Sequence, residues 1–450
     1  MLEELKASIS LFLLIPLVAV VGIGFTLRFR FVQIVYALKA WKFFVNDRSL
    51  TGKGFSSFSA VSAVLGGNLG TGNISGTAVA LTMGGPGALF WMWVMAILGA
   101  VLKFVGTALG VLYRQKSENG TFVGGPMYYL AKGLGMKHTA KLYCLMAIFA
   151  ALTVGNMVQM NSLALPFTQA GVPPLATGLV MAAVVACVIL GGLHRFSKIA
   201  SLVVPFMAVG YIGCCAIILL LNLPKLVPAI SLVFQAAFQP SSIAGGVAGY
   251  TVIQGLRVGF DRGLFAADVG VGIDSIIHSS VDSNSNITDT ALTQGLISTL
   301  SPMIVMVVCS LTGLVLITTG AWSGSGLEST NMCIEAFKRG LSFNSAGHLI
   351  TVTLFFFAFT TILTWSFCAD KAIEYLFSPK MIRPFQYLFV AFIPLGALFH
   401  VNFVWTVADI FMNLMLVINV IGLVGLSKEV MMIYRTPERR RLFLQSNSRA

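Results

Sequence analysis

The chain has 450 residues, of which 57% are hydrophobic and only 10% are charged, with a net charge of +13 and a mean hydropathy of +0.88. Soluble domains carry about 25% charged residues, so the composition predicts a protein embedded in a membrane throughout, without a soluble domain. The basic residues lie in short loops between apolar segments. We therefore expect them to set orientation in a lipid bilayer, and we expect no nucleic-acid partner.

Catalytic and metal-binding patterns are absent from the sequence. The seven cysteines fall mostly in apolar stretches without a CxxC pair, and the five histidines are scattered. Such cysteines are typical of small buried hydrophobic residues rather than of a disulfide or metal framework. No HExxH, GxSxG, Walker A or complete GxGxxG pattern occurs. We therefore predict that the protein is not an enzyme and has no cofactor.

Eleven membrane-spanning segments are predicted, on the basis of about 20 apolar residues per crossing. The first is too long for a signal peptide and lacks its small-residue cleavage site, so we expect it to be retained. The segments lie at about 9–27, 57–81, 87–113, 141–168, 174–193, 199–222, 246–281, 293–320, 346–377, 384–401 and 403–427. The sequence thus predicts an all-α polytopic membrane protein with a single membrane-embedded domain over 1–450.

The second predicted segment contains a polar, glycine-rich interruption. Residues 66–76 (GGNLGTGNISG) include five glycines, two asparagines and two hydroxyl side chains. Each glycine in a helix costs about 1 kcal/mol relative to alanine, and irregular backbone in a membrane is tolerated only where protein or a watery cavity meets it. We predict a helix broken in mid-membrane, with free carbonyls and amides facing a ligand. The alternative is close helix packing, since Gly66/Gly70 and Gly72/Gly76 have small-xxx-small spacing, although packing does not explain the asparagines.

The seventh segment is interrupted in the same way. Glycines recur every four residues from Gly255 to Gly263, and the stretch from Phe265 to Gly272 breaks the apolar pattern. Without the first segment, ten remain, and the two broken segments begin the two halves of five. Matching interruptions in two halves indicate an inverted-repeat secondary transporter with its site between them. The predicted organisation is an accessory helix and amphipathic linker (1–56), a first five-helix repeat (57–222), an interfacial segment (223–245), a second repeat (246–427) and a cytoplasmic tail (428–450).

The distribution of basic residues predicts the orientation. Lysine and arginine are frequent in 28–53, 114–140, 194–198 and the C-terminal tail, which share one side if the segments alternate. That side should be cytoplasmic, with the N-terminus outside and the C-terminus inside. Loop 282–292 has acidic residues and no basic ones, but acidic residues count little in this rule. We expect a multi-pass protein of the plasma membrane, the inner one in a Gram-negative cell. A short amphipathic helix near 328–339 should lie on the outer side.

Polar groups of the first break are candidates for binding. Thr71, Gly72 and Asn73 would present amides at the N-terminus of the outer half-helix, which carries about half a positive charge and suits an amino acid carboxylate. The side chain of Asn73 and exposed carbonyl oxygens suit a hard cation such as Na⁺.

Asp268 is the only acid near the second break, and an ionisable group within a membrane is a candidate functional residue. The alternative is a structural ion pair with Arg262 or Lys103, and both roles are compatible. Lys103 lies deep enough in its segment to need a partner or to extend toward the interface. Phe265 and Trp365 are candidates for the walls of a small cavity.

Other polar side chains within the segments have two open interpretations. The amides of Gln159 and Asn161 bind either a ligand or a neighbouring helix. The hydroxyls of Thr360 and Thr361 bind either a cation or a carbonyl of their own helix.

Long motifs resemble one known family. These are Gly70-Thr71-Gly72-Asn73-Ile74-Ser75-Gly76, Gly84-Gly85-Pro86-Gly87-Ala88-Leu89-Phe90-Trp91-Met92-Trp93, Tyr113-Arg114 with Gly124-Gly125-Pro126-Met127-Tyr128-Tyr129, Arg262-Gly263-Leu264-Phe265, and Phe357-Ala358-Phe359-Thr360-Thr361-Ile362-Leu363-Thr364-Trp365. Over about residues 50–377 the chain resembles the alanine/glycine:cation symporters, whose fold is similar to the LeuT type.

The resemblance implies ten core helices in two inverted halves plus one extra helix, and co-transport of alanine, of either hand, or glycine with Na⁺ as the coupling ion. It implies substrate contacts at Thr71, Gly72, Asn73, Gln159, Phe265 and Trp365, and sodium between the first break and Thr360/Thr361. With the residues argued above, the predicted substrate site comprises Thr71, Gly72, Asn73, Gln159, Asn161, Phe265, Asp268, Gly270 and Trp365, and the sodium site comprises Asn73, Thr360 and Thr361. We expect a monomer.

The sequence departs from the family pattern at two places. The family usually has Phe-Ser-Asn-Glu-Ala-Gly at the second break, where this chain has Phe265-Ala266-Ala267-Asp268-Val269-Gly270. It also tends to have a glutamate where this chain has Gly106. A proton-coupled symporter of the same fold therefore remains an alternative to sodium symport. A channel, in which Gly70-Thr71-Gly72-Asn73 lines a filter, is another.

Overall fold

The computed structural model describes residues 8–46, 55–117, 120–238, 252–282, 285–323, 327 and 329–436. Within these ranges it is almost entirely helical. The helices are α1 Ser10–Arg28, α2 Val32–Val35, α3 Ala37–Asn46, α4 Ser57–Asn68, α5 Ser75–Gly84, α6 Gly87–Leu112, α7 Pro126–Lys132, α8 Lys137–Leu152, α9 Val158–Gln169, α10 Pro174–Ile189, α11 Gly192–Leu221, α12 Leu223–Phe238, α13 Val252–Ala267, α14 Ile273–Ser279, α15 Ile287–Ser298, α16 Leu300–Thr318, α17 Ser329–Leu341, α18 Gly347–Leu376, α19 Ile382–Gly396 and α20 Val401–Arg435. Strands β1 Gln115–Lys116 and β2 Phe122–Val123 pair antiparallel in a small hairpin.

Eight helical stretches in the described part of the chain are long and apolar enough to cross a membrane. They correspond to eight of the eleven predicted segments. The other three are the two broken segments and α10, which has 16 residues. The number eleven therefore stays a prediction, whereas the all-α membrane architecture is confirmed.

Both predicted helix breaks are present. The first separates α4 from α5 by a 3-10 turn, Thr71–Asn73, and the second separates α13 from α14. At the second break Asp268, Gly270 and Gly272 have φ values of 45°, 69° and 99°. Two of these three left-handed positions hold glycine, which adopts them without a steric penalty.

Helix α6 lies at the centre of the bundle. It packs against α13, α14, α15 and α16 of the second half and against α1. Small residues permit this contact: a Cβ at Gly259 of α13 would lie 2.4 Å from the carbonyl oxygen of Ala88, and one at Gly99 would lie 2.3 Å from Val269 Cγ2. The glycine spacing of the seventh segment thus serves helix packing as well as the break.

Several predicted boundaries differ from the structure. The last segment, predicted to end at 427, continues as α20 to Arg435, because the charged pair Lys428-Glu429 interrupts the apolar run without ending the helix. The predicted interfacial helix is α12, and the predicted amphipathic helix near 328–339 is α17. The rest of the interfacial segment (239–245), the start of the second repeat (246–251), part of the linker (47–54) and the tail beyond 436 lie outside the described residues.

Candidate functional site

The first break is held from inside by its own asparagine. The side-chain nitrogen of Asn73 donates to the backbone oxygens of Asn68 and Gly70, and Asn73 itself is fully buried. The Asn68 carbonyl lies at the end of α4, where the helix offers it no donor, and the Gly70 carbonyl also accepts from the backbone nitrogen of Asn73 at 3.2 Å. Asn73 therefore acts first as the structural clamp of the break.

Gln159 of α9 connects the first break to the turn between α8 and α9. Its Oε1 accepts hydrogen bonds from the backbone nitrogen of Thr71 at 2.9 Å and from Thr71 Oγ1 at 3.0 Å. Its Nε2 donates to the oxygen of Val154 at 3.0 Å, within the π-helical turn Thr153–Met157 that separates α8 from α9. The wider turn leaves a carbonyl available for the Gln159 amide, and such turns are frequent at functional sites.

Thr361 of α18 contacts the other side of the break. Its hydroxyl donates to the carbonyl oxygen of Gly66 at 2.9 Å and to that of Gly67 at 3.3 Å. One turn further, Thr364 Oγ1 donates to the oxygen of Ala63 at 2.9 Å. Hydroxyl and carbonyl oxygens are thus gathered at the C-terminal end of α4, where the helix dipole is negative.

The glycines of the break permit close approach of these side chains. A Cβ at Gly70 would lie 2.8 Å from Gln159 Oε1 and 2.9 Å from Thr361 Oγ1. A Cβ at Gly72 would lie 3.0 Å from the ring of Phe265, and one at Gly67 would lie 2.8 Å from Thr364 Cγ2. Gly67, within α4, therefore permits helix packing against α18, whereas Gly70 and Gly72 permit side chains to approach the break itself.

A closed cavity of about 10 Å³ lies between the two breaks. A volume of that size holds about one water molecule. Its walls are Gly67, Asn68, Gly70, Gly72, Val154, Gln159, Phe265, Ala266, Asp268, Thr361 and Trp365. The structure thus brings together six of the predicted site residues, including the two aromatic side chains, with Thr71 bonded to Gln159 at the edge.

Other predicted residues face elsewhere. Asn161 donates to the oxygens of Gly396 and Phe399 at 3.1 and 2.8 Å, so its amide binds the end of a neighbouring helix. The hydroxyl of Thr360 donates to the Phe356 oxygen of its own helix at 3.0 Å. For both residues the structure shows the second of the two roles that the sequence left open.

The second break is fixed by side chains that the sequence did not single out. Asn419 of α20 donates to the oxygen of Gly270 at 2.8 Å and accepts a hydrogen bond from the hydroxyl of Tyr129. The hydroxyl of Tyr143 donates to the oxygen of Val271 at 2.8 Å. Gly270 therefore contributes a carbonyl to a structural network. Asn419 is one of three asparagines in α20, so nothing in the sequence singles it out for this contact.

The acids pair differently from the sequence-based expectation. Lys103 lies 2.7 Å from Asp274 and also donates to Ser301, while Arg262 lies 2.9 Å from Asp409. The alternative that the sequence left open, a direct ion pair of Asp268 with Arg262 or Lys103, is therefore wrong. Asp268, past the end of α13, turns toward α4, whereas Arg262 faces α20.

Asn68 connects Asp268 to the lysine indirectly. With its amide oriented to satisfy both neighbours, Asn68 donates to Asp268 Oδ2 at 2.8 Å and accepts from Lys103 Nζ at 2.8 Å. One ammonium and the two carboxylates of Asp268 and Asp274 thus share a buried network beside the cavity.

The aromatic wall of the cavity is backed by a charged residue. The rings of Phe265 and Trp405 lie 4.8 Å apart, and the guanidinium of Arg262 lies 4.8 Å from the Trp405 ring centroid. This arrangement combines ring packing with a cation–π contact and fixes the Phe265 ring against Gly72.

Two broken helices that meet at a small polar cavity inside a bundle define a secondary transporter of the membrane. The chain matches the model of the sodium:alanine symporter family over residues 1–444, and it belongs to that family. It is 38% identical over 417 residues to the sodium/alanine symporter AgcS of Methanococcus maripaludis, covering 90% of each chain. It is also 36% identical over 438 residues to an uncharacterized transporter of Haemophilus influenzae, covering 95% of this chain and 94% of that one.

Solved structures bear on the fold. A manganese transporter of Eremococcus coleocola, as its H236A mutant, matches with a TM-score of 0.54 and 14% identity, covering 86% of this chain and 83% of that one. At that identity the likeness concerns the fold alone. The predicted LeuT-type architecture is confirmed, and the family is one of transporters rather than enzymes.

Proposed function

We propose that this protein imports a small neutral amino acid, alanine or glycine, together with Na⁺. The observation that carries the proposal is the contact of the Thr361 hydroxyl with the carbonyl oxygens of Gly66 and Gly67 at the end of α4. Three hard oxygen atoms at the negative end of a half-helix suit a sodium ion. They belong to the two helices that must separate for the site to open.

The cavity supports a small substrate. At about 10 Å³ it is closed around roughly one water, so even alanine requires the broken helices to part. Phe265 and Trp365 limit the side-chain space, and the hydroxyl of Thr71 and the amide of Gln159 are positioned for a polar substrate. The N-terminal end of α5 suits the substrate carboxylate.

Coupling follows from the shared break. In this mechanism sodium binds at Thr361 and the α4 carbonyls, and the amino acid binds at the adjacent turn of Thr71 and Gly72. Each ligand shifts the outward–inward equilibrium only by its differential affinity for the two states. Joint binding closes both half-helices around the site and permits the change of access.

The orientation is proposed with the C-terminus in the cytoplasm of a bacterial-type plasma membrane and with the protein as a monomer. Contacts between segment ends support the relative topology. Arg28, at the end of α1, donates to Ser427 of α20 at 3.1 Å, and Tyr113, after α6, donates to Glu429 at 2.7 Å. These helix ends lie on the same side of the bundle as the β1–β2 hairpin in the basic loop 114–140. Basic loops favour the cytoplasmic side of a membrane.

A proton is the second candidate coupling ion, favoured by the network of Asp268, Asn68 and Lys103. Among the residues described, no cationic group lies within salt-bridge distance of Asp268. A buried carboxylate in that position is a candidate proton carrier.

Uptake of radiolabelled alanine into proteoliposomes tests the proposal. An inward Na⁺ gradient should drive saturable accumulation, and replacing Na⁺ by K⁺ should abolish it. Accumulation driven by a pH gradient without sodium would instead support the proton. Flux that neither saturates nor accumulates alanine against its gradient would identify a channel.

A further inference from the structure

A second polar cavity lies away from the two breaks. It has a volume of about 40 Å³ and lies between α10, α11, α18 and α19. Its polar walls are Ser366, Asp370 and Gln386, and the stacked rings of Phe196 and Phe367 close one side. Ser366 and Asp370 are four residues apart on α18, so they face the same direction.

Two oxygen atoms at this cavity lack hydrogen-bond partners within the described part of the chain: Ser366 Oγ and Asp370 Oδ1. Ser366 is 1% exposed, and unlike Thr360 and Thr364 its hydroxyl makes no bond back to its own helix. The other carboxylate oxygen of Asp370 accepts from Gln386 at 2.7 Å, which fixes the orientation of the group. Leaving a buried polar atom unsatisfied costs about 1–3 kcal/mol, so the pair requires an explanation.

The neighbouring basic residues bond to other groups and make no direct ion pair with Asp370. Lys371 Nζ pairs with Glu374 at 2.9 Å, and the Arg383 guanidinium donates to the Leu190 oxygen at 2.9 Å and to Gln386 Oε1 at 3.4 Å. No cationic side chain described in the structure lies within salt-bridge distance of Asp370. Asp370 is therefore a carboxylate at the cavity without a direct ion pair among the described residues.

We propose that Ser366 and Asp370 bind a second sodium ion. A 40 Å³ cavity has room for an ion and a water molecule. One carboxylate and one hydroxyl suit a small hard monovalent cation, whereas a divalent ion usually takes more carboxylates. The identity of the ion as sodium rests on the proposed sodium coupling.

The second site lies on α18, the helix that also carries Thr361. Ser366 and Asp370 lie five and nine residues beyond Thr361, which is about 7 and 13 Å along a helix. The next turn carries Glu374, which accepts a hydrogen bond from Ser117 at the basic hairpin. At about 100° per residue, Ser366 and Asp370 point about 140° and 180° away from Thr361 around the helix axis, so the second site is separate from the first.

Equilibrium binding of ²²Na⁺ to the purified full-length protein, without alanine, tests this assignment. Asp370→Asn keeps an acceptor for Gln386 and removes the charge, so it should bind one sodium ion fewer per protein than the wild type. Ser366→Ala should weaken the same site about tenfold, the equivalent of about 1.4 kcal/mol. The matched control is Glu374→Gln, which removes a carboxylate one turn away and should bind sodium as the wild type does.

The variants also separate this inference from the proposed function. Thr361→Ala should keep two sites, one of them about tenfold weaker, and the double variant Thr361→Ala/Asp370→Asn should keep only that weakened site. Wild-type stoichiometry and affinity in both Asp370→Asn and Ser366→Ala would overturn the second site; with weakened binding in Thr361→Ala, sodium coupling would stand. A wild-type protein that binds no ²²Na⁺ would overturn both. If Asp370→Asn fails to fold, Ser366→Ala alone decides.

Discussion

The hydroxyl of Thr361 donates a hydrogen bond to the carbonyl oxygen of Gly66 at 2.9 Å, across 295 positions of the chain. This bond joins the end of one half-helix of the first repeat to a long helix of the second. An ion bound among these oxygens contacts both repeats, so its affinity depends on how the two repeats are placed relative to each other.

Thr361→Ala should raise the sodium concentration needed for half-maximal alanine uptake by about tenfold, since one oxygen ligand worth about 1.4 kcal/mol is removed. Thr360→Ala is the matched control. Its hydroxyl is bound within α18, so its sodium dependence should match the wild type. Uptake measured against sodium concentration decides between them, and equal shifts in both variants would remove Thr361 from the ion site.

Gly70→Ala should abolish transport. Its Cβ would lie 2.8 Å from Gln159 Oε1 and 2.9 Å from Thr361 Oγ1, which forces the two sides of the break apart at a cost of about 1–3 kcal/mol. Gly76→Ala places its Cβ 3.6 Å from Trp405, an ordinary contact, and should be tolerated. The measurement is initial uptake per folded protein. Similar activity of the two variants would contradict the geometry of the break.

Gln159→Ala should raise the KM for alanine, because the backbone nitrogen and hydroxyl of Thr71 lose their partner, worth about 1–3 kcal/mol. Asn161→Ala, two residues away, should lower thermal stability with little change in KM, since it binds α19. Paired KM and Tm measurements separate the two roles. A larger KM effect at Asn161 would reverse the assignment.

Asp274→Asn should destabilise the protein strongly, by about 3–5 kcal/mol, because it leaves the buried ammonium of Lys103 without its carboxylate. Replacing both residues, as Lys103→Met/Asp274→Leu, should recover much of this stability. Thermal unfolding in detergent measures both variants. If the double variant is no more stable than Asp274→Asn, the unpaired ammonium of Lys103 does not account for the lost stability.

The long helices and both breaks could be predicted from the sequence because hydropathy and glycine are local signals. Which side chain faces the cavity could not. Gln159 and Asn161 are both amides, but two residues on a helix differ by about 200° in direction. Thr360 and Thr361 differ by about 100°, and only Thr361 meets the break. Direction depends on helix rotation, which packing sets.

The partners of side chains that pair across long stretches of the chain could not be predicted from the sequence either. Arg262 pairs with Asp409, 147 positions away, rather than with the nearer Asp268. Asn419 and Tyr143 reach the second break from helices with no distinctive pattern of their own. Such contacts follow from the assembled bundle and cannot be inferred from spacing along one segment.

The central claim is that the first break binds the amino acid and the sodium ion together. Equilibrium binding of ³H-alanine to the purified protein, in Na⁺ and in K⁺, tests it most directly. Sodium should raise alanine affinity in the wild type, and Thr361→Ala should need about tenfold more sodium for the same rise. Equal alanine affinity in the two salts, for a folded wild-type protein, would contradict the account.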